Sequence, residues 1–280
     1  MKGDLDATQA EPELSDLANS SEWIEELSQS NLHLPVIIPA LNEEEGIGAT
    51  IKEIENTFAG TPLDPVCYVV DGTSRDRTID VAQSLGAHII RQSGRGKGNA
   101  LSEAFRALPE STRYVVMTDA DYTYPANRIP EMLRTIAADP KIGMVTGNRF
   151  EERFNPLFAA KNPYYLGNRL LAAAQYLLNR VRMRDPLTGL RILRYDLVKD
   201  WTPKSEGFDI EVELNSHIEK SGYKILETPI EYRPRIGEKK LHIRHGIWIL
   251  YRIIRETFSH VTRQSIKSNT HLSNQKSLQS

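Results

Sequence analysis

From residue 34 onward, short apolar runs alternate with stretches whose apolar positions recur at helical spacing. Leu34-Pro-Val-Ile-Ile-Pro-Ala is a run of strand formers that Pro39 closes. Asn42-Glu-Glu-Glu-Gly then leads into apolar positions 47, 51 and 54, one face of a helix, with Asn42 as the expected N-cap and carboxylates in its first turn. Pro65-Val-Cys-Tyr-Val-Val-Asp-Gly repeats the strand pattern, and Thr78-Ile-Asp-Val-Ala-Gln-Ser-Leu-Gly repeats the helical one, closing on Gly86. Ala87-His-Ile-Ile-Arg is a third strand, which passes through Ser93-Gly-Arg-Gly-Lys-Gly-Asn into a helix expected over 99–108. Tyr114-Val-Val-Met is a buried strand that delivers Asp119 and Asp121 to its far end. Such alternation predicts an α/β fold with a mostly parallel open sheet flanked by helices and ligand loops along one edge.

Further along, Asn162 to Val181 carries apolar residues at 166, 170, 173, 174, 177 and 181, an amphipathic helix whose apolar face is expected to pack on the core. Asp185-Pro-Leu-Thr-Gly-Leu-Arg-Ile-Leu-Arg is a turn feeding a strand, where Asp185 and Arg191 either face the site or pair structurally. Gly207-Phe-Asp-Ile-Glu-Val-Glu-Leu puts Asp209, Glu211 and Glu213 in the first turns of a helix, where negative charge is favoured in any case. Any one of them could position an acceptor or act as a base. A final amphipathic helix, 241–260, repeats Ile247, Leu250, Tyr251, Ile254 and Phe258, with Trp248 alongside.

A chain of 280 residues, 40% of them hydrophobic, can bury the core of one large α/β domain, here assigned to 32–240. Residues 1–31 are strongly acidic and expected to be partly disordered; the Ser/Asn/Gln-rich 261–280 is expected to be a disordered tail. The formal net charge of −2 excludes wholesale nucleic-acid binding. Its distribution is uneven. Between Tyr232 and Arg255 stand Arg233, Arg235, Lys239, Lys240, Arg244, Arg252 and Arg255, opposed by Glu238 alone. A basic helix with an aromatic-rich apolar face suits an anionic membrane surface; the alternative is a helix docked on the domain. No apolar run reaches the roughly 18 residues of a span and no signal peptide opens the chain, so membrane contact is expected to be peripheral. Cys67 is the single cysteine, which points to a reducing compartment.

The chemistry concentrates at strand ends. Asp119 and Asp121, at i and i+2, can reach one cation or its water shell, an arrangement suited to Mg²⁺ or Mn²⁺ carried by a phosphate-bearing substrate; their plainer role is to form turns. Asp71 and Glu43 also sit where a strand hands over to a helix. The glycine-rich segment at 93–99 lacks the Gly-Lys-Ser/Thr order of a P-loop, which excludes that kind of NTPase site.

Eight motifs in order, PALNEEE, VVDGTSRDRT, RGKGNAL, TDADYTYP, TGNRF, DPLTGLRILR, GFDIEVEL and YRPRIGEKKL, resemble a family 2 glycosyltransferase of GT-A fold, and the match extends over residues 34–255. The resemblance is narrower to the synthases of dolichyl- or polyprenyl-phosphate sugars, especially archaeal-type dolichyl-phosphate hexosyltransferases. It implies nucleotide contacts at Pro39, Leu41 and Glu43, the base at Asp71, and ribose, diphosphate and metal at Asp119 and Asp121. Arg149 matches an arginine that reaches the phosphates, and Arg235 and Lys240 match a basic pair assigned here, with Asp121, to catalysis. Gly72 and Thr73 depart from the common Asp-Asp-Gly-Ser form, Thr123 stands where mannosyl synthases carry Gln, and Lys239 replaces a Ser. The first two departures favour a UDP-sugar over GDP-mannose. The implied activity is inverting transfer of a hexose or N-acetylhexosamine to dolichyl or polyprenyl phosphate, peripheral on the cytoplasmic face of the membrane, feeding glycan assembly such as protein N-glycosylation. The competing readings are a transferase acting on a sugar hydroxyl, which needs a base, and a non-catalytic nucleotide-sugar or membrane-binding module.

Overall fold

The computed structural model describes residues 33–150, 161–238 and 245–257. The acidic lead-in, the polar tail and Lys240 lie outside the described residues. Seven strands form one sheet in the order β3-β2-β1-β4-β6-β5-β7. They are β1 (His33–Ala40), β2 (Asp64–Asp71), β3 (His88–Arg91), β4 (Tyr114–Met117), β5 (Ile142–Asn148), β6 (Arg191–Arg194) and β7 (Lys224–Pro229). Pairing is parallel throughout except at β6, which runs antiparallel to both β4 and β5. The start of β6 therefore lies at the edge where the other strands end.

Helices cover both faces, as a mostly parallel sheet requires. Period-2 alternation sends Val36, Ile38, Val116 and Ile192 to one side, where they meet Ile47, Ile51 and Ile54 of α1 (Ile47–Phe58) and Met132, Leu133 and Ile136 of α4 (Ile129–Ala138). Ile37, Val115, Met117 and Leu193 face the other side and pack on α3 (Gly96–Ala107) and α6 (Ile210–Lys220). A short α2 (Thr78–Ser84) contributes Ala82 to the first layer.

Two helix starts differ from the sequence reading. α1 begins at Ile47 without a side-chain cap, so Glu43, Glu44 and Glu45 precede it. Asn42 instead takes a left-handed conformation, φ 50°, and its side chain accepts from Arg75 N, stitching the β1–α1 loop to the β2–α2 loop. α3 begins at Gly96, three residues early. The reason is steric: a Cβ on Gly96 or Gly98 would fall 1.8 Å from the carbonyl oxygen of Glu206 or Ser205, so glycine lets the first turn pack on the segment before α6.

The larger correction concerns α5 (Pro163–Asn179). Its inward residues are Tyr165, Asn168, Leu171, Ala172, Gln175 and Asn179, whereas Leu166, Leu170 and Leu177 point outward. Hydrogen bonding accounts for the inversion. Gln175 donates to Val212 O and accepts from Asn215 Nδ2, and Asn179 donates to Ile253 O, so the amides join α5 to α6 and to the C-terminal helix α7 (245–257). α7 docks through Ile249 and Ile253 against Leu171 and Val212. Of the stripe read from sequence, Ile247, Trp248, Leu250, Tyr251 and Ile254 are exposed, and Phe258 lies outside the described residues.

Candidate active site

The carboxyl ends of β1, β2, β4 and β5, the start of β6 and the first turn of α6 converge on one edge of the sheet. Ligands bind at that edge in open α/β sheets. After β1, Glu43 is buried and Leu41 is exposed beside it, while Pro39 is half-buried at the end of the strand. Asp71, buried at the end of β2, accepts hydrogen bonds from Thr73 N and Ser74 N and so shapes its own turn, with Thr73 at φ 75°. Glu43 N donates to Thr78 Oγ1, which ties the first two loops together again.

Asp119 and Asp121 follow β4. Thr123 N and its hydroxyl both donate to Asp121 Oδ1, and Arg235 Nη1 lies 2.5 Å from Oδ2. The same guanidinium pairs with Glu43 through Nη2. Arg235 comes from the strap after β7, which is fastened to the site by Ile236 N donating to Asp121 O and Arg233 N to Thr123 O. Arg233 is fully engaged by Glu53, 2.7 and 2.5 Å, so it holds the strap and does not join Arg235 in the open site.

The two aspartates differ in electrostatics. Burial works against ionisation of Asp119, yet the Lys97 ammonium, 2.8 Å away, outweighs it and holds the carboxyl below its usual range. Asp121 is pushed up, first by burial and then by the neighbouring Asp119 charge, against the opposing pull of Thr123 and Arg235. The mutual repulsion of the two carboxylates is offset by Lys97 on Asp119 and by Arg235 on Asp121.

Arg149, at the end of β5, does not reach into open space. Its Nε and Nη2 donate to Asp185, both at 2.7 Å, and its backbone N–H donates to the same carboxylate. Asp185 is therefore the partner of Arg149 and not of Arg191. Arg191 is fully buried and donates to Thr188 O, Pro186 O and Asn215 Oδ1, a structural role. At the start of α6, Asp209, just before the helix, and Glu213 within it pair with Arg252 of α7, while Glu211 turns toward Lys97.

Four contributors are not among the candidates named from sequence: Lys97, which lies within the glycine-rich segment 93–99, Glu53, Glu227 and Gly189. Glu227 accepts the backbone N–H groups of Arg184 and Asp185. Gly189 leaves room for Asp119, whose Oδ2 would lie 2.5 Å from a Cβ there. Only Lys97 had a usable signal, its placement between two glycines.

A family model described as glycosyl transferase family 2 matches residues 36–202, more than half of the chain and all of the sheet edge from β1 to β6. The chain belongs to glycosyl transferase family 2. The transferase is 34% identical over 210 residues to a dolichyl-phosphate hexose transferase of Haloferax volcanii, covering 74% of this chain and 86% of that one. It is 32% identical over 200 residues to glycosyltransferase AglJ of the same organism, covering 71% of this chain but only 63% of that relative's length. Among solved structures, the transferase superposes on glucosyl-3-phosphoglycerate synthase from Mycobacterium tuberculosis, crystallised with Mn²⁺, UDP-glucose and phosphoglyceric acid. The TM-score is 0.63 at 20% identity, covering 90% of this chain and 87% of that one, which establishes the GT-A fold.

Proposed function

We propose that this transferase moves a hexose or N-acetylhexosamine from a nucleoside-diphosphate sugar, a UDP-sugar in preference to GDP-mannose, to dolichyl or polyprenyl phosphate with inversion. The observation that carries the reading is Arg235 bridging Asp121 and Glu43 at the mouth of the site. Each cation of the site, Arg235, Lys97 and Arg149, is held by carboxylates, and an anionic substrate can exchange for those contacts. The relatives named for dolichyl-phosphate transfer support the acceptor class.

The donor set fits a divalent cation. No group of three or more metal-ligating His, Cys, Asp or Glu side chains is assembled among the described residues. Asp119 and Asp121 would thus supply two hard oxygens, the remainder coming from a diphosphate and water, as Mg²⁺ or Mn²⁺ prefers. Bound there, such a cation would neutralise charge developing on the diphosphate leaving group. In the transfer, an oxygen of the acceptor phosphate forms a bond to the anomeric carbon. The bond from that carbon to the diphosphate breaks, and its electron pair leaves with the nucleoside diphosphate. A phosphate monoester already carries about −1.5 to −2 charge near neutral pH, so the nucleophile needs no base. What it needs is a cation that brings two anions together, and Arg235, with Lys240, fits that demand.

Purified protein assayed with UDP- and GDP-sugars against dolichyl phosphate tests the reading. Arg235→Gln is expected to raise the KM for dolichyl phosphate about tenfold to a hundredfold, the loss of one contact between charged groups. Transfer to sugar hydroxyls alone, with no dependence on dolichyl phosphate, would overturn it.

A lipid acceptor calls for membrane contact, which we propose to be peripheral and on the cytoplasmic face; the exposed side of α5 and α7 supports the peripheral contact. Leu170, Leu177 and Trp248 are 63%, 69% and 67% exposed. No helix among the described residues is long and apolar enough to cross a membrane. The basic segment contributes less than its charge count suggests, because Arg233, Arg235 and Arg252 are paired with carboxylates. Burying one such leucine contributes about 1.5–3 kcal/mol. Leu170→Glu combined with Leu177→Glu is therefore expected to release the protein from sedimenting liposomes more completely than added salt does. Unchanged sedimentation would remove α5 from the contact.

A further inference from the structure

Glu211 is an acidic side chain at the heart of this edge for which the transfer described above has no use. It sits on the first turn of α6, and only 6% of the residue is exposed. Its Oε1 lies 2.8 Å from Lys97 Nζ, and the same ammonium lies 2.8 Å from Asp119 Oδ1. Its Oε2 is buried and accepts no hydrogen bond. A buried carboxylate oxygen without a donor is expensive to maintain, which points to a donor that arrives with a ligand. Arg191 does not supply one, because its hydrogen bonds go to Thr188, Pro186 and Asn215.

The oxygen is also held in place. The first turn of α3, which carries Lys97, packs without clearance on residues 205 and 206, and Gly98 N donates to Glu206 O. The segment before α6 thus fixes Lys97 and Glu211 against each other, and through Lys97 both are registered to Asp119. An ionised carboxylate is an acceptor only and repels phosphate. The part of a nucleoside-diphosphate sugar that suits it is the neutral part bearing hydroxyl donors, the sugar ring, next to the diphosphate expected at Asp119.

We infer that Glu211 Oε2 accepts a hydrogen bond from a ring hydroxyl of the donor hexose, and that Glu211, braced by Lys97, is a specificity-determining residue for the transferred sugar. This rests on the reading of the site as a nucleoside-diphosphate-hexose site. A site built to accept from one hydroxyl rejects a sugar that lacks it, because the carboxylate is again left unpaired.

Calorimetric titration in the presence of Mn²⁺ tests this with wild type and Glu211→Gln, using UDP, GDP, UDP-glucose, UDP-N-acetylglucosamine and GDP-mannose. The expected result is that the free nucleoside diphosphate binds both proteins alike, while the preferred nucleotide sugar binds the variant about tenfold to a hundredfold more weakly. Single-deoxy analogues of that sugar provide a second measurement, made on wild type alone and so independent of how the variant folds. One of them should show the same loss. Equal nucleotide-sugar affinity in the two proteins, or no sensitive analogue, overturns the inference. Parallel loss of free nucleotide and nucleotide sugar also overturns it and leaves Glu211 a brace for Asp119. Normal nucleotide-sugar binding with abolished turnover would make Glu211 a base instead. If no nucleotide sugar binds wild type, the functional reading beneath the inference falls with it.

Discussion

Asp121→Ala abolishes sugar transfer, and a chelator does the same to the wild-type protein until Mg²⁺ or Mn²⁺ is restored. The expectation follows from the pair of repelling carboxylates after β4, where burial and Asp119 push Asp121 up. Removing one preorganised electrostatic group from a transfer site lowers turnover by about 10²–10³. Asp121 adds to that, because Thr123 and Arg235 are oriented by the same carboxylate. Asp121→Asn keeps an acceptor for Thr123 and should leave the strap in place while still losing the charge. Full activity of the wild type in chelator would sink the metal role, and full activity of Asp121→Ala would remove this edge from the chemistry.

Asp185→Ala has the largest expected effect on stability. The carboxylate is fully buried and accepts three hydrogen bonds from Arg149, so its removal strands a mostly buried guanidinium. Breaking a buried pair from one side costs about 3–5 kcal/mol, which for a domain of this size lowers Tm by on the order of 10 °C. Arg149→Met in the same chain should recover part of the loss, since the stranded charge is then gone. A melting temperature equal to wild type would mean that Arg149 leaves Asp185 without penalty, the behaviour needed if it swings to a phosphate. Thermal melts of the single and double variants therefore separate a structural arginine from a mobile one.

Much of the architecture was legible from residue pattern. The apolar runs at 34–40, 65–70 and 114–117 are strands of the sheet, and each ends where polar residues begin, so Glu43, Asp71, Asp119 and Asp121 fall on one edge once the strands are parallel. The ordered motifs led to the family that the matched region bears out. Sequence could not orient α5. Periodicity reports that a helix has an apolar face, not what that face meets, and here buried amides on the opposite face chose the docking side. Nor could it pair the charges. Arg235 reaches Asp121 across 114 residues and Glu43 across 192, and Lys97, Asp119 and Glu211 come from three separate elements. Local spacing determines which side chains share a strand end or a helix turn. Which of those ends share an ammonium or a guanidinium depends on strand order, on the reversed β6 and on close backbone packing such as that at Gly96 and Gly98, and these are decided only when the whole sheet is assembled.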